Sequence, residues 1–282
     1  MALVCLLCNS SSLYAYAPTV PVVPNKSKTA VGIAGPIAEA QADQKAGRFA
    51  EALIRLRLPS ANATTADTQS LRIAVADVQY AWAKTLVTNS PSLALIHYQA
   101  ALDIDKTLRP AQFADDLNNQ GIAYNELSQF SKAIDFYQQA LALFQKNGDQ
   151  SGQARASMNL GSSYLSLGQY SKAIDFYQQA LPIYHQDRDK GGEAKTLVNL
   201  GSAYDELGQH IKAIDFYQQA LPVLQQIDDK GGEAGILNNL GTAYDEIGQY
   251  DKAISFYQQA QTLFTHLGDK GGQADTFNRP LA

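Results

Sequence analysis

The stretch that decides the fold reads NLGSAYDELGQHIKAIDFYQQAL and occupies residues 199–221. Nearly the same phrase begins at residues 119, 159 and 239, so the step is forty residues each time. A fixed period of this size is typical of proteins built from stacked structural repeats, in which each unit packs on its neighbours. The sequence therefore predicts a repeat protein rather than one or two ordinary globular domains.

Two helices are predicted in each copy. Between Ala194 and Leu207, apolar or small residues recur at steps of three and four, which is one face of a helix. Gly208 is expected to end this helix, because a residue without a Cβ adopts the left-handed cap conformation at little cost. A second apolar stripe follows from Ala213 to Leu221. One such hairpin cannot bury both stripes alone, so neighbouring copies must stack.

Other positions of the period also predict local structure. Pro182 and Pro222 fall inside second helices, where proline removes one backbone hydrogen bond. Ala142 and Thr262 fill the same position in other copies, so a mild bend is expected rather than a helix end. An aspartate that can cap the free amides precedes each first helix, and these aspartates are Asp149, Asp189, Asp229 and Asp269.

The order small–Tyr–Gly–Ala–aromatic–Ala at this spacing resembles the tetratricopeptide repeat, whose usual unit has about 34 residues. This unit has forty residues and a linker such as DDKGGEA at 228–234. The longer form resembles the kinesin-light-chain and G-protein-signalling-modulator class, which also occurs in bacterial proteins. The resemblance covers residues 111–270. It implies an all-α fold, a right-handed α-solenoid of stacked antiparallel helix hairpins.

The chain is interpreted as four regions. Residues 1–36 form a signal-like or disordered segment followed by a Pro-rich linker. Residues 37–110 form two degenerate hairpins, and Trp82 lies near the usual small position, so this part must pack differently. Residues 111–270 are four regular repeats, and residues 271–282 begin a fifth repeat that is incomplete.

The first seventeen residues leave two interpretations open. An apolar run is followed by Ala-Tyr-Ala, which resembles a cleavage site, but no Lys or Arg precedes the run as in a signal peptide. The segment is either the remnant of a signal peptide, which implies export to the periplasm, or the disordered tail of a cytoplasmic protein. Cys5 and Cys8 are the only cysteines, and a lone C-x-x-C without a nearby His does not predict a zinc site.

Motifs of catalysis are absent from the sequence. There is no phosphate loop of the G-x-x-x-x-G-K type and no H-E-x-x-H, and the four histidines occupy unrelated repeat positions. A net charge of −5 argues against a nucleic-acid partner, and no apolar run approaches the roughly 18 residues of a membrane span. The sequence predicts a non-catalytic scaffold that binds a protein or an extended peptide without a cofactor or metal.

The predicted binding residues form a ladder of asparagines. In the family that the repeats resemble, first helices line a concave groove, and related solenoids hold a peptide backbone with such a ladder. An amide both donates and accepts hydrogen bonds, so it can hold a backbone regardless of sequence. Helices packed about 8–10 Å apart would place one asparagine at roughly every third peptide residue. The alternative is a bond to the neighbouring repeat. The ladder is Asn119, Asn159, Asn199 and Asn239.

Variable residues beside the ladder are predicted to set specificity. Their acidic excess predicts a partner segment that carries Lys or Arg, and the alternative is ordinary solvated charge. The tyrosines at 124, 164, 204 and 244 are assigned to the core by the resemblance. The flanking set comprises Asp115, Asn118, Ile122, Asn125, Glu126, Arg155, Met158, Ser162, Lys195, Val198, Ser202, Asp205, Glu206, Asn238, Thr242, Asp245 and Glu246.

Two other functions stay open on the sequence. The repeats resemble arrays that precede a caspase-like CHAT domain, so the chain could be the regulatory portion of a longer bacterial enzyme cut at residue 282. It could also be a self-assembling structural array. Because the fifth repeat is incomplete, the final second helix is predicted to expose an apolar patch at which the chain self-associates or frays. The patch is formed by Ile254, Phe256, Tyr257, Leu263 and Phe264.

Overall fold

A computed structural model of the chain describes residues 33–56, 64–269 and 271–272. Within these ranges it contains twelve α-helices and no strand. The helices are α1 (Ala34–Lys45), α2 (Phe49–Arg55), α3 (Thr65–Leu86), α4 (Pro91–Leu108), α5 (Pro110–Glu126), α6 (Phe130–Asn147), α7 (Gln150–Ser166), α8 (Tyr170–Asp187), α9 (Lys190–Glu206), α10 (His210–Gln226), α11 (Lys230–Glu246) and α12 (Tyr250–Leu267). None of these helices is long and apolar enough to cross a membrane.

The chain divides into two compact units, residues 1–140 and 141–282, and the division falls inside α6. In the second unit, α7 packs on α8, α9 on α10 and α11 on α12, and the three hairpins also pack in sequence. Short connections make each packed pair antiparallel, so α7, α9 and α11 run in the same direction. The predicted fold class, an all-α solenoid of stacked antiparallel helix hairpins, is confirmed.

Close approach within each hairpin depends on one glycine. A Cβ added at Gly201 of α9 would lie 2.4 Å from the Tyr217 ring of α10, which is fully buried. Gly161 of α7 stands in the same relation to Tyr177 of α8. The buried ring therefore occupies the volume that a side chain on the first helix would need, and the predicted role of the small residue is confirmed.

Helix ends follow the sequence pattern. The side chains of Asp149, Asp189 and Asp229 accept hydrogen bonds of 2.8–2.9 Å from the backbone N–H three residues ahead. Gly208 has φ +70, the left-handed conformation expected just after α9. Both the capping and the glycine predictions are confirmed. The helices α8 and α10 also continue through their prolines, as expected.

The first unit is less regular. Trp82 of α3 is sandwiched between Phe49 of α2, at a centroid distance of 5.8 Å, and His97 of α4, at 4.1 Å. His97 is buried, and its Nδ1 lies 2.5 Å from the Oε1 atom of Gln79. Burial lowers the pKa of His97 to about 4, so the imidazole is neutral at pH 7. The large indole of Trp82 thus packs between α2 of the first hairpin and α4 of its own hairpin.

The apolar stripe of α12 differs from the prediction. Tyr257 is only 7% exposed and packs on Gly241, and Phe264 is 9% exposed and packs with Ala234 and Leu237 of α11. Both aromatic rings face the partner helix of their own hairpin, so they do not contribute to an exposed patch. The predicted start of a fifth repeat at 271–278 lies almost wholly outside the described residues.

Candidate functional site

The first helices of the second unit carry one continuous stripe of surface residues each. Residues spaced i, i+4, i+7 and i+11 share a helix face. Counted from Arg155 on α7, Lys195 on α9 and Gly235 on α11, every residue with this spacing is exposed or half-buried. We call this surface the A-helix face. It comprises Arg155, Asn159, Ser162 and Ser166 on α7, Lys195, Asn199, Ser202 and Glu206 on α9, and Gly235, Asn239, Thr242 and Glu246 on α11.

Asparagines occupy the middle of this face. Asn159, Asn199 and Asn239 are half-buried and stand at the same position on three helices that run in one direction. Within the described part of the chain, Asn199 and Asn239 make no side-chain hydrogen bond. Each of these two amides retains its donors and its acceptor for a ligand.

The corresponding asparagine of the first unit is placed differently. The Nδ2 atom of Asn119 donates to the Tyr80 hydroxyl at 2.9 Å and to the Asp115 carbonyl at 2.6 Å. Since Tyr80 belongs to α3 of the preceding hairpin, this contact is the bond between neighbouring repeats that the sequence left as an alternative. Asn119 is therefore not grouped with the A-helix face.

A row of hydroxyls lies beside the asparagines. Ser162, Ser202 and Thr242 each accept a hydrogen bond of 3.3 Å from the hydroxyl of a buried tyrosine on the second helix of their hairpin. Burial raises the pKa of Tyr217 to about 12, so its hydroxyl stays protonated and can donate. Sequence reasoning missed this pairing, although a Tyr fifteen residues after each Ser or Thr was visible.

Charged residues lie at the two ends of the stripe. Arg155 and Lys195 are exposed, and the guanidinium of Arg155 lies 5.6 Å from the centre of the Phe144 ring. At the other end, Oδ1 of Asp205 lies 2.7 Å from Nδ1 of His210. Asp245, at the equivalent position of α11, is half-buried.

Several predicted flanking residues do not face a groove. Asn118 is only 4% exposed, which corrects its assignment to the binding surface. Met158 and Val198, at the same repeat position, pack into hydrophobic clusters, because this position faces the helices packed on it rather than solvent. Asn238 is half-buried with an unbonded, buried Oδ1 atom, and Asn125 is half-buried.

The repeated tyrosines of the first helices form stacks. Tyr204 lies parallel to Phe216 at 5.3 Å, and the Lys212 ammonium lies 5.1 Å from the centre of its ring. The Tyr204 hydroxyl accepts a hydrogen bond of 3.4 Å from Gln178 of the preceding hairpin. These tyrosines are packing residues, although Tyr204 is half-buried rather than fully buried.

A cavity of about 590 Å³ lies in the first unit between α1, α3 and the start of α5. Its rim includes Lys45, Lys84 and Arg109. Arg109 is held by bonds to the Asp105 and Asp77 carboxylates. Among the described residues, no cluster of three His, Cys, Asp or Glu side chains could hold a metal ion.

The sequence profile described as tetratricopeptide repeat matches residues 113–186 and 190–266, together more than half of the chain. No curated protein sequence matches the chain. Several solved structures resemble its fold.

BtubC (BKLC) from P. vanneervenii is 20% identical, with a TM-score of 0.65 over 86% of this chain and 94% of that one. The kinesin-light-chain TPR-like repeats of Podosopora anserina are 18% identical, with a TM-score of 0.59 over 69% and 97%. A Rap protein complexed with competence and sporulation factor is 14% identical, with a TM-score of 0.61 over 86% and 79%. Identities at this level show a shared fold alone.

Proposed function

Because the chain belongs to the tetratricopeptide repeat family, whose repeats form protein-interaction scaffolds, we propose that this protein is a non-catalytic scaffold. It binds an extended segment of another protein along the A-helix face of its second unit. A Rap protein of similar fold is complexed with competence and sporulation factor, which is consistent with ligand capture by such a fold.

The observation that carries the proposal is the pair of unbonded amides on α9 and α11. A half-buried polar group without a partner gives up part of its hydration and gains no internal hydrogen bond, so such a position adds little to folding. Asn199 and Asn239 lie in register on first helices of adjacent repeats. An extended backbone crossing both helices would offer each amide a carbonyl and an N–H.

We also assign the flanking side chains a role in selecting the partner. Asp205, Glu206, Asp245 and Glu246 lie at one end of the stripe, and none of them pairs with a Lys or Arg among the described residues. Their charge favours a segment that contains Lys or Arg. Rim charges of this kind act on specificity and association rate more than on affinity.

The double variant Asn199→Ala/Asn239→Ala tests the proposal. The probe is a labelled peptide selected from a random peptide library by binding to the full chain. We expect its dissociation constant to rise by about 30-fold, because the variant removes two hydrogen-bonding groups worth roughly 1 kcal/mol each. The melting temperature should not fall, since neither amide bonds to the protein and alanine has the higher helix propensity. Fluorescence anisotropy and circular dichroism measure the two quantities.

The matched control is Gln179→Ala/Gln219→Ala, which removes two exposed amides from α8 and α10, the second helices of two adjacent repeats. It should leave the affinity unchanged and, because alanine is the better helix former here too, should not lower the melting temperature. If the asparagine variant instead melts several degrees lower and binds normally, the asparagines stabilise the packing and the proposed site is wrong.

A further inference from the structure

We propose that the partner segment carries acidic side chains along one side and Lys or Arg along the other, an inference that rests on the proposed function and specifies its ligand. The A-helix face is basic at one edge on α7 and α9, at Arg155 and Lys195, and acidic at the opposite edge on α9 and α11, at Glu206 and Glu246. The asparagines lie between the two edges. A segment held by the asparagines would therefore meet opposite charges on its two sides.

The acidic edge is placed where it does not help the fold. Glu206 and Glu246 are the last residues of α9 and α11, and Asp205 and Asp245 precede them. Carboxylates at the carboxyl end of a helix oppose the negative end of its dipole, which costs stability rather than adding it. A cationic ligand would compensate this placement.

The carboxylates of the acidic edge have no Lys or Arg partner among the described residues. Among the described residues, Glu206 accepts a hydrogen bond from the Tyr170 hydroxyl at 3.1 Å, and Asp205 contacts only His210. Neither Lys195 nor Glu246 forms an ion pair in that part of the chain. The basic and acidic edges are eleven residues apart on one helix, or about 16 Å, so salt screens one from the other.

The distances across the face also differ on the two sides. Lys195 lies four residues before Asn199 on α9, which is about 6 Å along the helix axis, whereas Glu206 lies seven residues after it, about 10 Å away. Asp and Glu have short side chains, and Lys and Arg have long ones. A backbone held at the asparagines thus places short acidic side chains near the basic edge and long basic side chains within reach of the acidic edge.

A segment with this arrangement has a simple sequence signature. In an extended chain, successive side chains point to opposite sides. Acidic and basic residues that alternate along the segment therefore separate onto its two sides. Residues of the same composition arranged in pairs mix both signs on each side and match neither edge.

The experiment compares two labelled synthetic peptides of about twelve residues, a length that can cross three repeats. In one peptide Glu and Lys alternate singly, and in the other they alternate in pairs, so composition and net charge are identical. Anisotropy titrations use the full chain at low salt. We expect the singly alternating peptide to bind at least about tenfold tighter. The variant Lys195→Glu should reduce that preference and increase affinity for an all-lysine peptide of the same length.

Three results would overturn the inference. They are equal affinity for the two Glu/Lys peptides, tighter binding of the all-lysine peptide by the unaltered protein, and an unchanged preference in Lys195→Glu. The proposed function is tested separately by the asparagine variant and its library-selected peptide. If that variant loses affinity while the two Glu/Lys peptides bind equally, the A-helix face binds peptides but does not discriminate between them by the arrangement of their charges.

Discussion

Replacing Gly241 by alanine is expected to lower the free energy of unfolding by about 1–3 kcal/mol, the usual cost of overpacking a core. The added Cβ would lie 2.6 Å from the ring of Tyr257, which is only 7% exposed. Helix propensity favours alanine by about 1 kcal/mol, so the steric term must exceed it for the variant to be less stable.

The matched control is Gly235→Ala in the same helix, where an added Cβ meets nothing within 4 Å. Only the propensity gain applies there, so this variant should be more stable by roughly 0.5–1 kcal/mol. Urea unfolding followed by circular dichroism gives both values. Changes of the same sign in the two variants would show that the hairpin does not depend on the close approach of Gly241 to Tyr257.

Replacing Asp116 by asparagine should stabilise the protein at pH 8 by several kcal/mol, because about four pKa units at about 1.4 kcal/mol each separate the folded from the unfolded carboxyl. Asp116 is 0% exposed, and neither carboxylate oxygen makes a hydrogen bond. Burial and the neighbouring Asp105 carboxylate raise the pKa of Asp116 to about 8, and the Arg109 guanidinium opposes this shift only in part. In the unfolded chain the carboxyl ionises near pH 4. The folded protein therefore loses stability as the pH rises from about 4 to about 8.

Asparagine stays neutral and nearly keeps the shape of the protonated carboxyl, so the difference in stability between variant and parent should grow with pH across this window. At pH 4 it should be small, because the parent carboxyl is then protonated in the folded protein and only about half ionised in the unfolded chain. The control is Asp135→Asn, which changes an exposed aspartate on α6. Thermal melts at several pH values measure the differences. Parallel pH dependence in parent and Asp116→Asn would show that Asp116 is ionised in the folded protein.

The regular part of the fold could be predicted because the same local sequence pattern recurs in all four repeats. The glycine that receives Tyr217, the aspartate caps and the left-handed Gly208 are all decided within one hairpin. These features depend on neighbours close in sequence. Because this pattern recurs every forty residues, the order in which the hairpins follow one another could also be predicted.

The candidate site was less predictable, because the partners of its side chains come from outside the regular pattern. Asn119 bonds to Tyr80, which belongs to a degenerate repeat with no counterpart in the other copies. Apolar periodicity shows that Tyr257 and Phe264 face a neighbour, but it does not say whether that neighbour is the same hairpin or the next one. Periodicity likewise does not reveal the direction of the Tyr217 hydroxyl toward Ser202.

The central claim is that a peptide lies on the A-helix face, and side-chain amide resonances test it most directly. The measurement is a ¹⁵N–¹H spectrum of the full chain, recorded as the library-selected peptide is added. We predict that the NH₂ resonances of Asn199 and Asn239 shift in proportion to saturation, while those of Gln179 and Gln219 stay in place. Shifts confined to the two glutamines, with both asparagines unaffected at saturation, would contradict the account.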